Sequence, residues 1–205
     1  MTLPDLIAAF TALFVIIDPI GLTPVFVAVT RGMPDARRRR IAVRAVVTAA
    51  LILLAFVIFG EALLGFVGIS MPAFRIAGGI LLFLTALDML FERRQARRED
   101  QAEEDPSDDP SVFPLAIPLL AGPGAIATMI LLTGQAEGPA HFASVIGVML
   151  TVLAIAFGLF MMAGPIERGL GKVGVNVVTR LLGMLLAALS VQFILDGLRT
   201  FGIAG

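Results

Sequence analysis

The stretch Leu13–Phe26 reads LFVIIDPIGLTPVF, with Asp18-Pro19-Ile20-Gly21 in the middle of a long apolar run. A run of this length suffices to cross a bilayer, which takes about 20 residues of helix. Proline removes a backbone donor and glycine frees the chain, so a regular helix does not continue through this tetrapeptide. In hydrocarbon, irregular backbone survives only where protein or a water-filled cavity surrounds it. A second break of the same kind, Gly122-Pro123-Gly124, interrupts the fourth apolar run. Two breaks in corresponding places of two halves point to a transport site near the middle of a membrane.

The composition agrees. Of 205 residues, 58% are hydrophobic and 15% charged, with a mean hydropathy of +0.97. A soluble core does not bury that much apolar sequence, which puts the chain in the integral membrane class. Six apolar segments are long enough to span, at roughly 5–30, 42–67, 71–91, 112–134, 141–165 and 175–202. The predicted fold is therefore all-α, a single polytopic membrane domain. Cysteine is absent and His141 is the single histidine, so neither a disulfide framework nor a thiolate or histidine metal centre is expected. No nucleophile–base constellation stands out, which argues against an enzyme. No cofactor and no nucleic-acid partner are expected. Trp and Tyr are absent, so phenylalanine must supply the interfacial aromatics. The first residues carry Asp5 and no basic side chain, unlike a cleavable signal peptide, so the first segment is expected to be retained.

Charge is segregated along the chain. Arg31, the run Arg37–Arg40 and Arg44 lie between segments one and two. Arg93, Arg94, Arg97 and Arg98 lie between three and four, and Arg168 and Lys172 between five and six. Together these make 12 of the 15 basic residues, whereas the turns near Gly65–Ser70 and Gln135–Pro139 carry none. The positive-inside rule predicts that these three loops are cytoplasmic and both termini are outside. In the linker 92–111 the arginines are followed by Glu103-Glu104-Asp105-Pro106-Ser107-Asp108-Asp109-Pro110, which reads as a solvated, disordered tether.

That linker separates two related halves, 1–91 and 112–205. Gly21 and Thr30 are nine positions apart, as are Gly124 and Thr133; Arg75, Gly78 and Thr85 repeat the spacing of Arg180, Gly183 and Ser190. Three spans per half make the second half enter from the opposite face, an inverted-topology repeat with broken first and fourth helices.

At each break, a helix that restarts after the glycine turns free N–H groups and a positive dipole end toward the midplane, which suits a carboxylate. The helix that stops before it leaves carbonyls that accept from an ammonium or a cation. Together they suit a zwitterion. The expected binding residues are Asp18, Pro19, Ile20, Gly21 and Thr23 from the first break and Gly122, Pro123, Gly124, Ala125 and Thr128 from the second. Asp18 reads either as a ligand for an ammonium or coupling proton, or as a cap for the following helix. Arg75 and Arg180 read as snorkelling or as pairing with acids to tie the halves together. Gly78 and Gly183 read as close-packing positions. Asp88, Asp196 and Glu61 lie near helix ends; the first two read as structural, and Glu61 remains a proton-carrier candidate.

LFVIIDPIGLTPVF (13–26), FRIAGGILLFLTALDML (74–90), AIPLLAGPGAIATMI (116–130) and RLLGMLLAALSVQFILDG (180–197) resemble the signatures of the MarC family of bacterial inner-membrane proteins, across four of the six segments. The family is grouped with the LysE-type exporters. The resemblance implies a transporter of small neutral amino acids such as glycine and alanine, driven by an ion gradient, H+ or Na+. Leu22 stands where the family commonly has Asn, and Ala127 where it often has Ser or Thr; both make the expected site less polar. The competing functions are export of drugs or other small solutes and a non-transporting membrane scaffold. A homo-oligomer is compatible with so small a chain.

Overall fold

Asp18 divides the first apolar run into two helices, α1 (Leu3–Ile17) and α2 (Pro19–Val29). The computed structural model describes the chain except residues 1, 95–96, 99–108, 135–137 and 203–205. The acidic part of the linker at 99–108 and the turn at 135–137 thus lie outside the described residues. Six further helices follow: α3 (Asp35–Val67), α4 (Met71–Leu90), α5 (Ser111–Leu120), α6 (Pro123–Thr133), α7 (Pro139–Met161) and α8 (Ala163–Phe201). The described residues contain no strand. Five stretches are long and apolar enough to cross a membrane, α1 with α2 together making one of them, and α5 with α6, bent by 54° at their junction, makes a sixth.

Local sequence explains the ends. α3 starts behind Pro34 and stops at Gly68, whose φ of 81° lets the Gly68 N–H reach the Gly65 carbonyl at 3.1 Å and the Ile69 N–H reach Leu64 at 2.9 Å. This αL closure favours glycine because it has no Cβ to clash. α4 is capped by Ser70, whose hydroxyl accepts from the Ala73 N–H at 3.4 Å. α5 is irregular: Phe113 (φ −120°, ψ 128°) and Ile117 (φ −122°, ψ 126°) are extended, each just before a proline, because the proline ring pushes the preceding residue out of the helical region. Both of these X–Pro peptides are cis.

Two boundaries differ from the sequence reading. Arg37–Arg40, assigned to a loop, belong to α3, which begins at Asp35; arginine is a good helix former and nothing there breaks the turn. The third basic loop is likewise helical, since α8 begins at Ala163 and bends at Gly171 (φ 60°).

The broken first span is the innermost. In its most apolar window 67% of residues are buried, against 22% for the last span. Leu13, Ile17, Leu22 and Phe26 are fully enclosed, and the Phe26 ring stacks on Phe160 of α7 at 4.6 Å. Irregular backbone at membrane depth is thereby surrounded by protein, as it must be.

α4 and α8 form the other packing unit and run antiparallel. A Cβ on Gly79 would lie 2.6 Å from Ile194 and 2.9 Å from the Ser190 carbonyl, one on Gly183 would lie 2.9 Å from Met89, and one on Gly197 would lie 2.7 Å from Ile76. Small residues at these points let the backbones approach. Gly79→Leu is expected to lower stability by about 1–3 kcal/mol through overpacking. Gly147→Leu, at a position with open space around it, is expected to change it little; thermal unfolding in detergent compares the two.

Candidate functional site

Asp18 belongs to two helices at once. Its backbone is left-handed (φ 53°, ψ 64°), a conformation that aspartate tolerates better than most residues. Its N–H finishes α1 on the Phe14 carbonyl at 2.9 Å, and its carbonyl accepts from Leu22 at 3.0 Å to start α2. One carboxylate oxygen accepts from the Gly21 N–H at 3.1 Å. A Cβ on Gly21 would fall on that carboxylate, so the glycine is what allows the cap.

The Asp18 side chain has no exposure to water, and a buried carboxylate needs a counter-charge. The counter-charge comes from the linker. Arg98 donates to the second Asp18 oxygen at 2.9 Å and, through its other terminal nitrogen, to the Ile17 carbonyl at 3.0 Å. Arg94 donates to the Ile16 carbonyl and lies 2.9 Å from the Met89 sulfur. These are carbonyls of the kind that the last turn of a helix leaves without a partner. Arg97 donates to Asp88 at 2.7 Å. Burial pulls both Arg94 and Arg98 below the usual arginine pKa, Arg94 to about 9, so Arg94 stays cationic at neutral pH.

Arg94 and Arg98, read from the sequence only as part of a basic cytoplasmic loop, pack against the end of α1; the tether reading of Glu103–Pro110 falls almost wholly outside the described residues. The overlooked signal is spacing: positions 94, 97 and 98 are i, i+3 and i+4, which share one helical face. The carbonyls that the sequence reserved for an ammonium are held by the chain's own guanidinium groups.

The second break meets the first directly. Gly122 is extended (φ −78°, ψ 169°) and precedes α6. A Cβ on it would run into the Pro118 carbonyl, and one on Gly124 would lie 2.8 Å from the Ile16 side chain. Between the breaks is a cavity of about 200 Å³. Its polar wall is Arg94, Arg97, Arg98 and Asp88, Gly122–Ala125 form the α6 end, and Ile16, Pro118 and Leu119 form an apolar corner. The first-turn amides of α6 point out of the helix end, where the dipole is positive.

The predicted residues divide accordingly. Gly122, Pro123, Gly124 and Ala125 line the cavity. Asp18, Pro19, Gly21 and Thr23 are buried behind Arg98, with Ile20 half-buried. The Thr23 hydroxyl donates to the Pro19 carbonyl at 3.0 Å and Thr128 to Gly124 at 2.8 Å, both within their own helices. Asp88, read as structural, stands on the cavity wall beside Thr85. Arg180 pairs with Glu92 at 2.7 Å, joining α8 to the end of α4. Arg75 is half-buried, and its Nε has no hydrogen-bond partner among the described residues. Gly78 faces Leu131 and Gly183 faces Met89, as packing positions do. Glu61 is exposed, and Asp196 accepts from Gln192 at 2.8 Å. No group of three or more potential metal ligands occurs among the described residues.

A multi-pass helical membrane protein with a polar cavity between two broken segments is the class that fold and site define. The chain belongs to the MarC family of integral membrane proteins, whose family model matches residues 3–201. It is 39% identical to the UPF0056 membrane protein MJ1677 of Methanocaldococcus jannaschii, over 97% of this chain and 98% of that one. It is 36% identical to the UPF0056 membrane protein YvbG of Bacillus subtilis (95% and 94%) and 34% to the UPF0056 inner membrane protein YhgN of Escherichia coli (95% and 96%). No solved structure matches the chain.

Removing Arg98 strands a buried charge, so Arg98→Met is expected to cost about 3–5 kcal/mol. Asp18→Asn/Arg98→Met is expected to cost less than Arg98→Met alone, because asparagine accepts the left-handed backbone and carries no charge. Unfolding of the single and double variants in detergent measures this; additive losses would contradict the pairing.

Proposed function

We propose that the chain is a secondary transporter of small neutral amino acids, of glycine or alanine size, working by alternating access in the bacterial inner membrane. The observation that carries this reading is that the second break opens on one small cavity with an excess of positive charge, walled by the arginines that cover the first break. The substrate carboxylate sits at the α6 amides and Arg94. The ammonium goes to Asp88, whose present partner Arg97 is 69% exposed and free to turn outward. The apolar corner of Ile16, Pro118 and Leu119 takes a hydrogen or methyl side chain. A cavity of 200 Å³ corresponds to about seven water volumes, which favours a small solute over a drug.

The two halves are inverted repeats; their matching spacings and the antiparallel α4 and α8 support this. Both termini lie outside and the linker is cytoplasmic, so the arginine segment closes the cavity from the cytoplasmic side. Withdrawal of Arg98 leaves Asp18 buried without a counter-charge, a state that breaking a buried pair makes expensive. Asp18 is therefore the residue assigned to ion coupling. The oxygens gathered around Arg98 and Arg94 are the Asp18 carboxylate and the Ile16 and Ile17 carbonyls, few for a metal cation that prefers six or more.

Labelled alanine counterflow in proteoliposomes tests the reading. The native chain is expected to show saturable exchange. Gly124→Leu, which drives a side chain into Ile16, is expected to lose it while still folded. Asp18→Asn is expected to keep exchange and lose accumulation driven by a pH gradient. Absence of exchange of alanine and glycine by folded native protein would remove the proposed substrates and favour another solute or the scaffold role.

A further inference from the structure

The last helix carries a seam on each of two opposite faces, and the fold of one chain uses only the first. Gly183, Ser190, Ile194 and Gly197 lie against α4. At about 100° per residue, Leu181, Leu185, Ala188, Gln192 and Leu195 fall on the other side of α8, and all five are exposed. Leu181, Leu185 and Leu195 are 57%, 51% and 51% exposed. The five positions alternate intervals of four and three residues, the repeat of a seam between two helices wound about each other. Ala188, the small member at its centre, lets backbones approach.

Gln192 is the polar member of this seam, and it lies at hydrocarbon depth. The 19 positions from Arg180 to Arg199 rise about 28 Å at 1.5 Å each, close to a hydrocarbon core of about 30 Å. Gln192 is seven positions inside Arg199, about 10 Å. The contact with α4 gives a similar depth. Gly79 lies against Ser190 and Ile194, level with Gln192, and is eight positions past Met71 at the start of α4, about 12 Å. The Gln192 amide donates to Asp196 at 2.8 Å within its own helix, and among the described residues that is its one hydrogen bond. An amide has two N–H donors and a carbonyl with two lone pairs, so most of its capacity stays open where lipid supplies neither donor nor acceptor. Thr85 and Thr151, elsewhere on the spans, avoid this by donating to the Leu81 and Gly147 carbonyls of their own helices.

We propose that this face of α8 is the interface of a parallel homodimer in which Gln192 meets Gln192 of a second copy. Two copies inserted with the same topology present each residue at the same depth, so a two-fold axis along the membrane normal sets the seam beside its own counterpart. An amide is self-complementary there, because the N–H of one donates to the carbonyl of the other. A single polar position in an apolar seam also fixes register, since any slip leaves it unpaired. Another protein would have to bring a matching group to this depth, whereas a second copy has it by symmetry. No residue of α8 lines the cavity at the breaks, so the interface does not depend on which solute is transported.

Energy transfer between copies of the full chain, labelled at the C-terminus with donor or acceptor and diluted progressively with lipid, measures the association. The native chain is expected to form a dimer that dissociates on dilution. Gln192→Leu, which keeps the seam apolar, is expected to associate about tenfold more weakly, given the usual worth of a polar contact between membrane helices. Ala188→Phe, which holds the backbones apart, is expected to weaken association as well. Oxidative cross-linking of single cysteines locates the contact and decides the matter if Gln192→Leu does not fold. Leu195→Cys is expected to give a disulfide-linked dimer, and Ile58→Cys, 54% exposed on α3, is expected to give none. A native chain that is monomeric at every dilution, a folded Gln192→Leu that associates as the native chain does, or equal cross-linking at positions 195 and 58 would overturn the interface.

Discussion

A carboxylate closed off from water must have positive charge beside it, and here that requirement falls on Asp18, whose partner Arg98 is 80 positions away in sequence. Coulomb attraction at 2.9 Å is strong in a low-dielectric interior, but desolvating both ions opposes it, and the pair holds because its remaining atoms are also satisfied. Gly21 donates to one carboxylate oxygen, and Ile17 accepts from the spare guanidinium nitrogen. The same residue ends one helix and starts the next. Its charge, its backbone and the position of the linker are thus one arrangement, and altering any of them disturbs the others.

The rest of the fold reads as support for that arrangement. Because the first span is broken, it has to be central, and α6, α7 and α8 cover it. Because the second break touches Ile16 through Gly124, the two interruptions lie close together, and the arginines that cover the first wall the cavity at the second. The glycine-mediated contact of α4 with α8 provides a rigid flank, with Arg180 and Glu92 pairing at one of its ends. Arg94, Arg97 and Arg98 complete the cavity from the loop that follows α4. A segment outside the spans therefore supplies the most strongly charged wall of a site within them.

Much of this was legible in the sequence. Proline and glycine inside apolar runs located both breaks, because their backbone chemistry leaves no regular alternative, and hydropathy located the spans. The four signatures within the spans led to the family. What the sequence concealed was the fate of the arginine-rich linker. Positive residues beside a span usually mean a solvated loop, and that rule counts charges without asking which face they share. The i, i+3, i+4 pattern at 94, 97 and 98 carried the missing information, but only in combination with an aspartate that needed a partner. Asp88, read as structural near the end of α4, is held by Arg97 and also stands on the cavity wall, a placement that its position in the helix does not reveal. α3 starts earlier than hydropathy suggests because arginine, besides its charge, favours helix.

The chain has no native cysteine, so a single one introduced at Ala125, on the cavity wall and 3% exposed, reports access to the site without background. The decisive measurement is the rate at which a small water-soluble thiol reagent modifies Ala125→Cys in proteoliposomes, with and without saturating alanine and with and without Arg98→Gln. A cavity that binds substrate behind an arginine closure predicts slower modification with alanine and faster modification when Arg98 is replaced. A rate indifferent both to alanine and to Arg98 would contradict the account, because the cavity would then be neither the transport site nor closed by the linker.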